Sequence, residues 1–341
     1  MSKKVVTLGE IMLRLSPPNY KRFIQADSFD VTYGGGEANV AVSLANFGLD
    51  AYYVTKLPVG PIGDAALNHL RRFGVKTDYI ARGGDRLGIY FLEIGASQRP
   101  SKVIYDRAHS AIAEAKVEDF DWNEIFKDAE WFHFTGITPA LSDAAAKLSL
   151  EAAKKAKQNN VKVSCDLNYR GKLWSPAQAN KVMTSLMEYV DIALGNEEDA
   201  EKIFGIKAPE SDVVAGKLSE KGYRFVAEEL MRRFDFELVA ITLRESYSAS
   251  DNGWSAMAYD GKNFYTSTKY RIHIVDRVGG GDAFAGGLIY SLINGKGVQE
   301  ALEFAVAAAC LKHTIPGDFN MVGVDEVESL RKGNVSGRVQ R

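Results

Sequence analysis

Short β-branched runs alternate with stretches whose apolar residues recur at helical spacing, and this rhythm holds for most of the chain. "KVVTLGEI" reads as a strand, "GEANVAVSLANFG" as a helix closed by Gly48, "AYYVTKL" as a strand and "DAALNHLRRFG" as a helix closed by Gly74. The alternation continues through "SDAAAKLSLEAAKKAKQNN", "VKVSCDLN", "PAQANKVMTSLMEY", "VDIALGN", "EEDAEKIFG", a helix near Phe225 to Phe234, and "FELVAITL". Strand, helix, strand in this order implies an α/β fold, a mostly parallel sheet covered by helices on both faces. Ligands of such sheets sit at the carboxyl ends of the strands.

Two segments break the rhythm. Leu13 to Val31 and Leu87 to His109 lack helical period, and "GIYFLEIG" and "SKVIYDRA" read as hairpin strands around the turn-rich "GASQRPS". Each interrupts a βα unit, so together they are expected to rise from the sheet's edge as a small second layer, a lid. An ordinary edge hairpin is the plain alternative. No repeat, low-complexity tract or linker divides residues 1–341, which read as a single domain.

Composition closes several routes. With 341 residues, 46% of them hydrophobic, the chain can bury a large core. A net charge of −2 offers no general pull toward nucleic acid or a membrane surface, and no run approaches transmembrane length. Cys165 and Cys310 lie inside apolar runs, as expected of reduced, buried thiols in a cytoplasmic protein. The start "MSKKVVTLGEIML" has no signal-peptide core. No GxxxxGK[ST] and no G-x-S-x-G occurs, and the five histidines show no paired ligand spacing.

Glycine runs open two helices. In "DRVGGGDAFAGGLIYSLI", Gly279, Gly280 and Gly281 precede Asp282, and apolar residues follow at helical spacing. Glycine there implies close approach to the main chain or positive φ, and a bare helix N-terminus attracts anions. A carboxylate beside a bound anion must then have a task of its own. In "YGGGEANVAVSLANFG", Gly34, Gly35 and Asn39 are candidates to offer N–H groups and an amide to substrate hydroxyls, and a merely tight turn is the alternative. A dinucleotide fingerprint would need a third glycine where Asn39 stands, and a ribose-binding acid about 20 residues past the glycines. "CDLNYRG" leaves a strand with Asp166, Asn168 and Arg170 at alternate positions, projecting to one side if the chain stays extended. "GNEEDA" could serve a metal's water shell, or could simply cap a helix.

"GGGEANVA", "DLNYR", "GNEED", "DRVGGGDAFAGG" and "AAACLKHTIPGD", in that order over nearly the whole chain, resemble the ribokinase-like, phosphofructokinase-B family of sugar kinases. Within it, Tyr90, "YDR" at Tyr105 to Arg107, "DLNYR" and "KHTIPGD" are most similar to the 2-keto-3-deoxygluconate kinases. The resemblance implies a three-layer α/β/α fold with a β-sheet lid, and ATP-dependent, Mg²⁺-requiring phosphorylation of a sugar acid. It implies an anion hole for the γ-phosphate at Gly279, Gly280 and Gly281, with Asp282 as general base. It places Gly34, Gly35, Asn39, Tyr90, Tyr105, Arg107, Asn168 and Arg170 around the sugar acid. Asn196, Thr242, Arg244, Gly279, Gly281, Ala308 and Lys312 would lie around ATP, Asp199 would reach Mg²⁺ through water, and Asp276 would sit beside a monovalent cation such as K⁺. The apolar lid suggests a homo-oligomer. A fructokinase or another neutral-sugar kinase is the alternative within the family; an NAD-dependent Rossmann dehydrogenase is the alternative outside it.

Two departures stand out. Asp199 replaces the family's usual glutamate three positions after Asn196, and Arg244 replaces the usual glycine after the "TL" strand.

Overall fold

A computed structural model describes residues 2–208 and 220–334. At its centre is a 10-stranded sheet. Its parallel part comprises, in spatial order, β11 (Leu238–Ser246), β10 (Ile192–Gly195), β9 (Lys162–Asp166), β8 (Ala129–Thr135), β1 (Lys4–Leu8), β4 (Asp50–Leu57) and β5 (Ile80–Arg82). Beyond β11 the sheet turns antiparallel with β12 (Asp251–Tyr259), on which β13 (Phe264–Thr266) and β14 (Tyr270–His273) pair. That edge and β8 carry weak strand signals, because "AEWFHFT" has histidine and glutamate within it and "DNGWSAMAY" starts on turn residues.

One face of the sheet is covered by α1 (Gly36–Asn46), α2 (Pro61–Arg72), α9 (Gly280–Ile293), α10 (Val298–Lys312) and α11 (Val324–Arg331). The other carries α3 (Trp122–Phe126), α5 (Asp143–Gln158), α6 (Pro176–Met187), α7 (Glu197–Phe204) and α8 (Glu220–Phe234); α4 (Ile137–Ala140) is a single turn after β8. Val5 of β1 belongs to the first core and Val6 to the second, so the central strand is buried on both sides. Burying such a valine is worth roughly 1.5–3 kcal/mol, which is why the central strands read as continuous apolar runs. Helices end where expected: Gly48 and Gly74 take φ of 86° and 78°, and the Ser142 and Ser175 side chains cap α5 and α6. Both cysteines are free thiols. Among the described residues, no helix is long and apolar enough to cross a membrane.

A separate four-stranded sheet forms the second layer: β3 (Asp30–Gly34), β2 (Met12–Ser16), β6 (Gly88–Glu93) and β7 (Lys102–Asp106). The β6–β7 hairpin is antiparallel as expected, but β2 pairs β6 in parallel and β3 antiparallel. The segment expected over Leu13 to Val31 is therefore two strands that run out to Met12 and Gly34. Conversely, β1 stops at Leu8, short of the "KVVTLGEI" reading, since the chain must leave the main sheet to enter β2.

From β1 the chain moves to β4 and β5 on one side, then returns to β8 on the other. The carboxyl ends of β1 and β8 thus flank a topological switch point, where α/β sheets bind ligands.

Candidate active site

A cleft of about 1280 Å³ opens over those carboxyl ends and runs from the second-layer sheet to β11. At its floor, Gly279 takes φ of 85° and caps α9. A β-carbon on Gly279 would lie 2.0 Å from the Asp318 carbonyl oxygen, and one on Gly280 would lie 2.3 Å from the His313 ring. These two glycines let the Arg277 to Gly281 loop press against the chain after α10. Gly281 differs, for its missing β-carbon faces open space. In the first turn of α9 the Gly280 N–H donates to the Arg277 carbonyl at 3.4 Å, whereas the N–H groups of Gly281 and Asp282 have no carbonyl one turn back, and both residues border the cleft.

Asp282 sits in that first turn, buried. Its Oδ2 accepts a 2.6 Å hydrogen bond from Asn39 Nδ2 at the start of α1, and Asn39 Oδ1 accepts from Gly35 N–H at 3.2 Å. Burial pushes the Asp282 carboxyl up to about 6, and the Asn39 bond opposes that rise. The Asn39 amide, expected to face substrate hydroxyls, lines the cleft and holds the carboxylate there. Gly35 lines the cleft, but Gly34 does not: a β-carbon there would lie 2.0 Å from Asp318 Oδ2, so that glycine exists for packing.

Asp166, Asn168 and Arg170 all line the cleft, though not by the expected alternation. β9 ends at Asp166 and Asn168 turns left-handed, φ 40°. That kink brings Tyr169 N–H to Asp199 Oδ1 at 2.8 Å, while Asp199 Oδ2 accepts from Asn196 N–H at 3.0 Å. Asp199 N–H in turn donates to Asn196 Oδ1, completing a capping box on α7. Both Asp199 oxygens are therefore committed to backbone, and the short side chain sits too deep to present itself as freely as a glutamate would. Burial also raises the Asp199 carboxyl, to about 6, and raises that of Asp166 well above its ordinary range, with Asp199 and Asp282 adding to it. Among the described residues no three His, Cys, Asp or Glu side chains are arranged to hold a metal directly.

Over the cleft, the second-layer sheet contributes Tyr90, Tyr105 and Arg107. Arg107 is not an unpaired cation. Its Nε donates to Glu10 Oε2 at 2.7 Å, its Nη2 contacts the same oxygen, and Ser110 Oγ donates to Glu10 Oε1 at 2.6 Å. The neighbouring Asp106 pairs with Arg86 instead. The Tyr90 hydroxyl donates to Asp318, which also lines the cleft, and lies 2.7 and 2.6 Å from its two oxygens. Arg14 of β2 joins the same cluster, with Nη1 2.7 Å from Asp318 Oδ1 and Nη2 2.6 Å from Asp276 Oδ2. Two strands of the second layer are thereby bolted, through buried charge, to the loops that shape the floor.

At the far end, Asn196, Thr242 and Arg244 line the cleft as expected, and Arg277 joins them. Arg277 donates to the Ala249 carbonyl at 2.9 Å, and burial together with the nearby Arg244 lowers its pKa. Neither arginine forms an ion pair among the described residues. Ala308 and Lys312 are fully buried behind the floor and do not line the cleft, which corrects their expected contact with nucleotide. Glu10, Arg14, Asp318 and Arg277 were not found in the sequence, since their partners are remote in the chain.

The family model for pfkB family carbohydrate kinases matches residues 2–321. The chain belongs to the pfkB family of carbohydrate kinases. Within the family, it is 37% identical to the 2-dehydro-3-deoxygalactonokinase of Haloferax volcanii over 99% of each chain. It is 59% identical to the 2-dehydro-3-deoxygluconokinase of Thermotoga maritima, whose crystal structure superposes with a TM-score of 0.94 over 98% of this chain and 99% of that one. A putative 2-keto-3-deoxygluconate kinase from Enterococcus faecalis, 28% identical, superposes at 0.91 over 100% of this chain and 99% of that one. A pfkB carbohydrate kinase transfers a phosphoryl group, so the Rossmann dehydrogenase alternative is set aside.

Proposed function

We propose that the protein uses ATP to phosphorylate 2-keto-3-deoxygluconate, or its galactonate-derived counterpart, at the 6-hydroxyl. The observation that carries this reading is Asp282, buried in the first turn of α9 and held by Asn39 beside open backbone N–H groups. Phosphoryl transfer asks mainly for alignment and charge stabilisation. The amides at Gly279 to Asp282 receive the γ-phosphate, and Asp282 takes the proton of the attacking hydroxyl, which lies between them. The acceptor must sit on the lid side of Asp282, near Gly35, Asn168, Arg170, Tyr105 and Arg107. ATP lies toward Asn196, Thr242 and Arg244, with the unpaired Arg244 and Arg277 beside its phosphates.

Mg²⁺ fits the excess of carboxylate at Asp166, Asp199 and Asp282, three acids whose pKa values burial has raised. Asp166 would hold it through water, and Asp199, its oxygens committed to backbone, would add negative charge behind it; its chemistry is to neutralise phosphate charge. The exposed Ile24, Val31 and Ile104 of the second-layer segments support a homo-oligomer formed through the lid.

A sugar acid brings a carboxylate that must be paired in a closed site. Glu10 already neutralises Arg107 and fixes its fork, leaving Nη1 for a ligand hydrogen bond. Arg170, exposed and without an ion pair among the described residues, then supplies the charge. Arg170→Ala should cost the acid about 1.5–3 kcal/mol in transition-state binding, the range of a lost charged hydrogen bond. Part of any loss will be common to all substrates, because Arg170 also holds down the Asp282 pKa. The informative quantity is therefore the ratio of kcat/KM for the acid and for fructose. Equal losses on both substrates would remove Arg170 from acid recognition.

A further inference from the structure

Lys312, the last residue of α10, has none of its surface exposed; burial lowers the pKa of its ammonium, and the nearby Asp276 and Asp318 carboxylates oppose that fall. It forms no ion pair among the described residues, because the two nearest carboxylates are occupied by Arg14. Its three donors go instead to main-chain carbonyls: Gly317 at 2.6 Å, and Asp276 and Ile315 at 3.3 Å each. Carbonyl oxygens converging from two loops are how a protein replaces the hydration shell of a monovalent cation.

The expected K⁺ beside Asp276 does not fit these residues. Asp276 Oδ2 accepts from Arg14 Nη2 at 2.6 Å and from Gly317 N–H at 3.1 Å, and Oδ1 accepts from Val278 N–H at 3.1 Å. Its carbonyl points at Lys312. Every oxygen of Asp276 is therefore in use by the protein itself.

We propose that Lys312 is a resident cation: its ammonium fills the carbonyl cage beneath the Gly279 loop, so that the protein needs no inorganic monovalent cation. The cage is built from the loop that shapes the cleft floor. A β-carbon on Gly279 would lie 3.2 Å from Lys312 Cε, and the carbonyls of Asp276 and Gly317 flank that same turn. In a trans peptide the C=O and N–H point opposite ways. Carbonyls drawn onto the ammonium therefore turn the N–H groups of Arg277 and Asp318 away from it and fix the loop's conformation. The positive charge behind the floor also favours an anion in front, a positioning role that rests on the kinase reading above. It helps hold the Asp282 pKa down as well.

The test compares wild type, Lys312→Ala and Lys312→Gln in about 0.1 M chloride salts of K⁺, Na⁺, NH₄⁺ and tetramethylammonium, at equal ionic strength so that screening is constant. Melting temperature is one readout and kcat the other. Wild type should melt and turn over alike in all four salts, within about twofold in kcat. Lys312→Ala, which leaves room for a cation, should lose at least about tenfold in kcat in tetramethylammonium, the lower end of what a lost electrostatic stabiliser costs. It should recover activity and melt higher in NH₄⁺ or K⁺. Lys312→Gln keeps the bulk and two donors without the charge, and should fold yet show the same slow turnover. Activation of wild type by K⁺ over tetramethylammonium would overturn the proposal, as would variants indifferent to the cation, or unfolded in every salt. Absence of kinase activity in wild type would sink the functional reading and leave the melting comparison standing.

Discussion

Asp282→Asn is expected to lower kcat by at least about a hundredfold, the scale of lost general-base catalysis, with ATP binding and melting temperature nearly unchanged. Asparagine has the same shape and can still bond Asn39 after its amide turns, but it cannot accept the proton. The effect should be on kcat more than on KM, since a group that acts only as the proton moves is missing from the ground state. The pH dependence carries the same expectation. Burial sets the Asp282 carboxyl of the free protein at about 6, and only the ionised form is a base, so wild-type kcat/KM, which reports the free enzyme, should fall as pH drops below that value and level off above it. Asn39→Ala removes the hydrogen bond that favours the ionised form, so its acid limb should move to higher pH. A kcat in Asp282→Asn above a tenth of wild type, measured by ADP release under saturating substrates, would place the chemistry elsewhere.

Arg14→Leu should have the largest effect on stability. Arg14 lies between two buried carboxylates, Asp276 and Asp318, and Tyr90 completes the cluster. Burial already pushes the Asp318 carboxyl up and Arg14 opposes it. Leucine would leave both acids without their guanidinium, and removing one partner of a buried pair typically costs about 3–5 kcal/mol. The loss should be reported by urea or thermal melting at pH 7. Lowering the pH should recover part of it, because protonated acids no longer need the cation. The same cluster ties β2 and β6 to the cleft floor, so hydrogen exchange in residues 12–16 and 88–93 should rise in the variant. A melt within about 1 kcal/mol of wild type, the ordinary scale of a single substitution, would mean that the network does not hold the two layers together.

Local signals in the sequence carried the frame of the molecule. β-branched runs and helical spacing located most of the sheet and its covering helices, and the glycines at 48 and 74 closed helices as their left-handed φ allows. The three glycines before Asp282 were legible too, since both close approach and positive φ leave a compositional trace. What escaped was long-range. Arg14 and Asp318 are 304 positions apart and Arg107 and Glu10 97, so nothing near any of them announces a partner. The alternation of Asp166, Asn168 and Arg170 misled for a local reason: asparagine tolerates left-handed φ, and Asn168 uses that tolerance to end the extended chain. Asp199 shows the limit of motif matching. The acidic position aligns, yet one methylene fewer turns a reach toward solvent into a cap on α7.

Sugar-acid kinase activity is measured directly as wild-type kcat/KM by coupled ADP release, with 2-keto-3-deoxygluconate, 2-keto-3-deoxygalactonate and fructose compared side by side. Wild type should show efficient, ATP- and Mg²⁺-dependent turnover of at least one keto-deoxy acid, exceeding fructose by at least about tenfold, the difference that one paired carboxylate can supply. A preference for fructose over both acids would contradict the sugar-acid assignment.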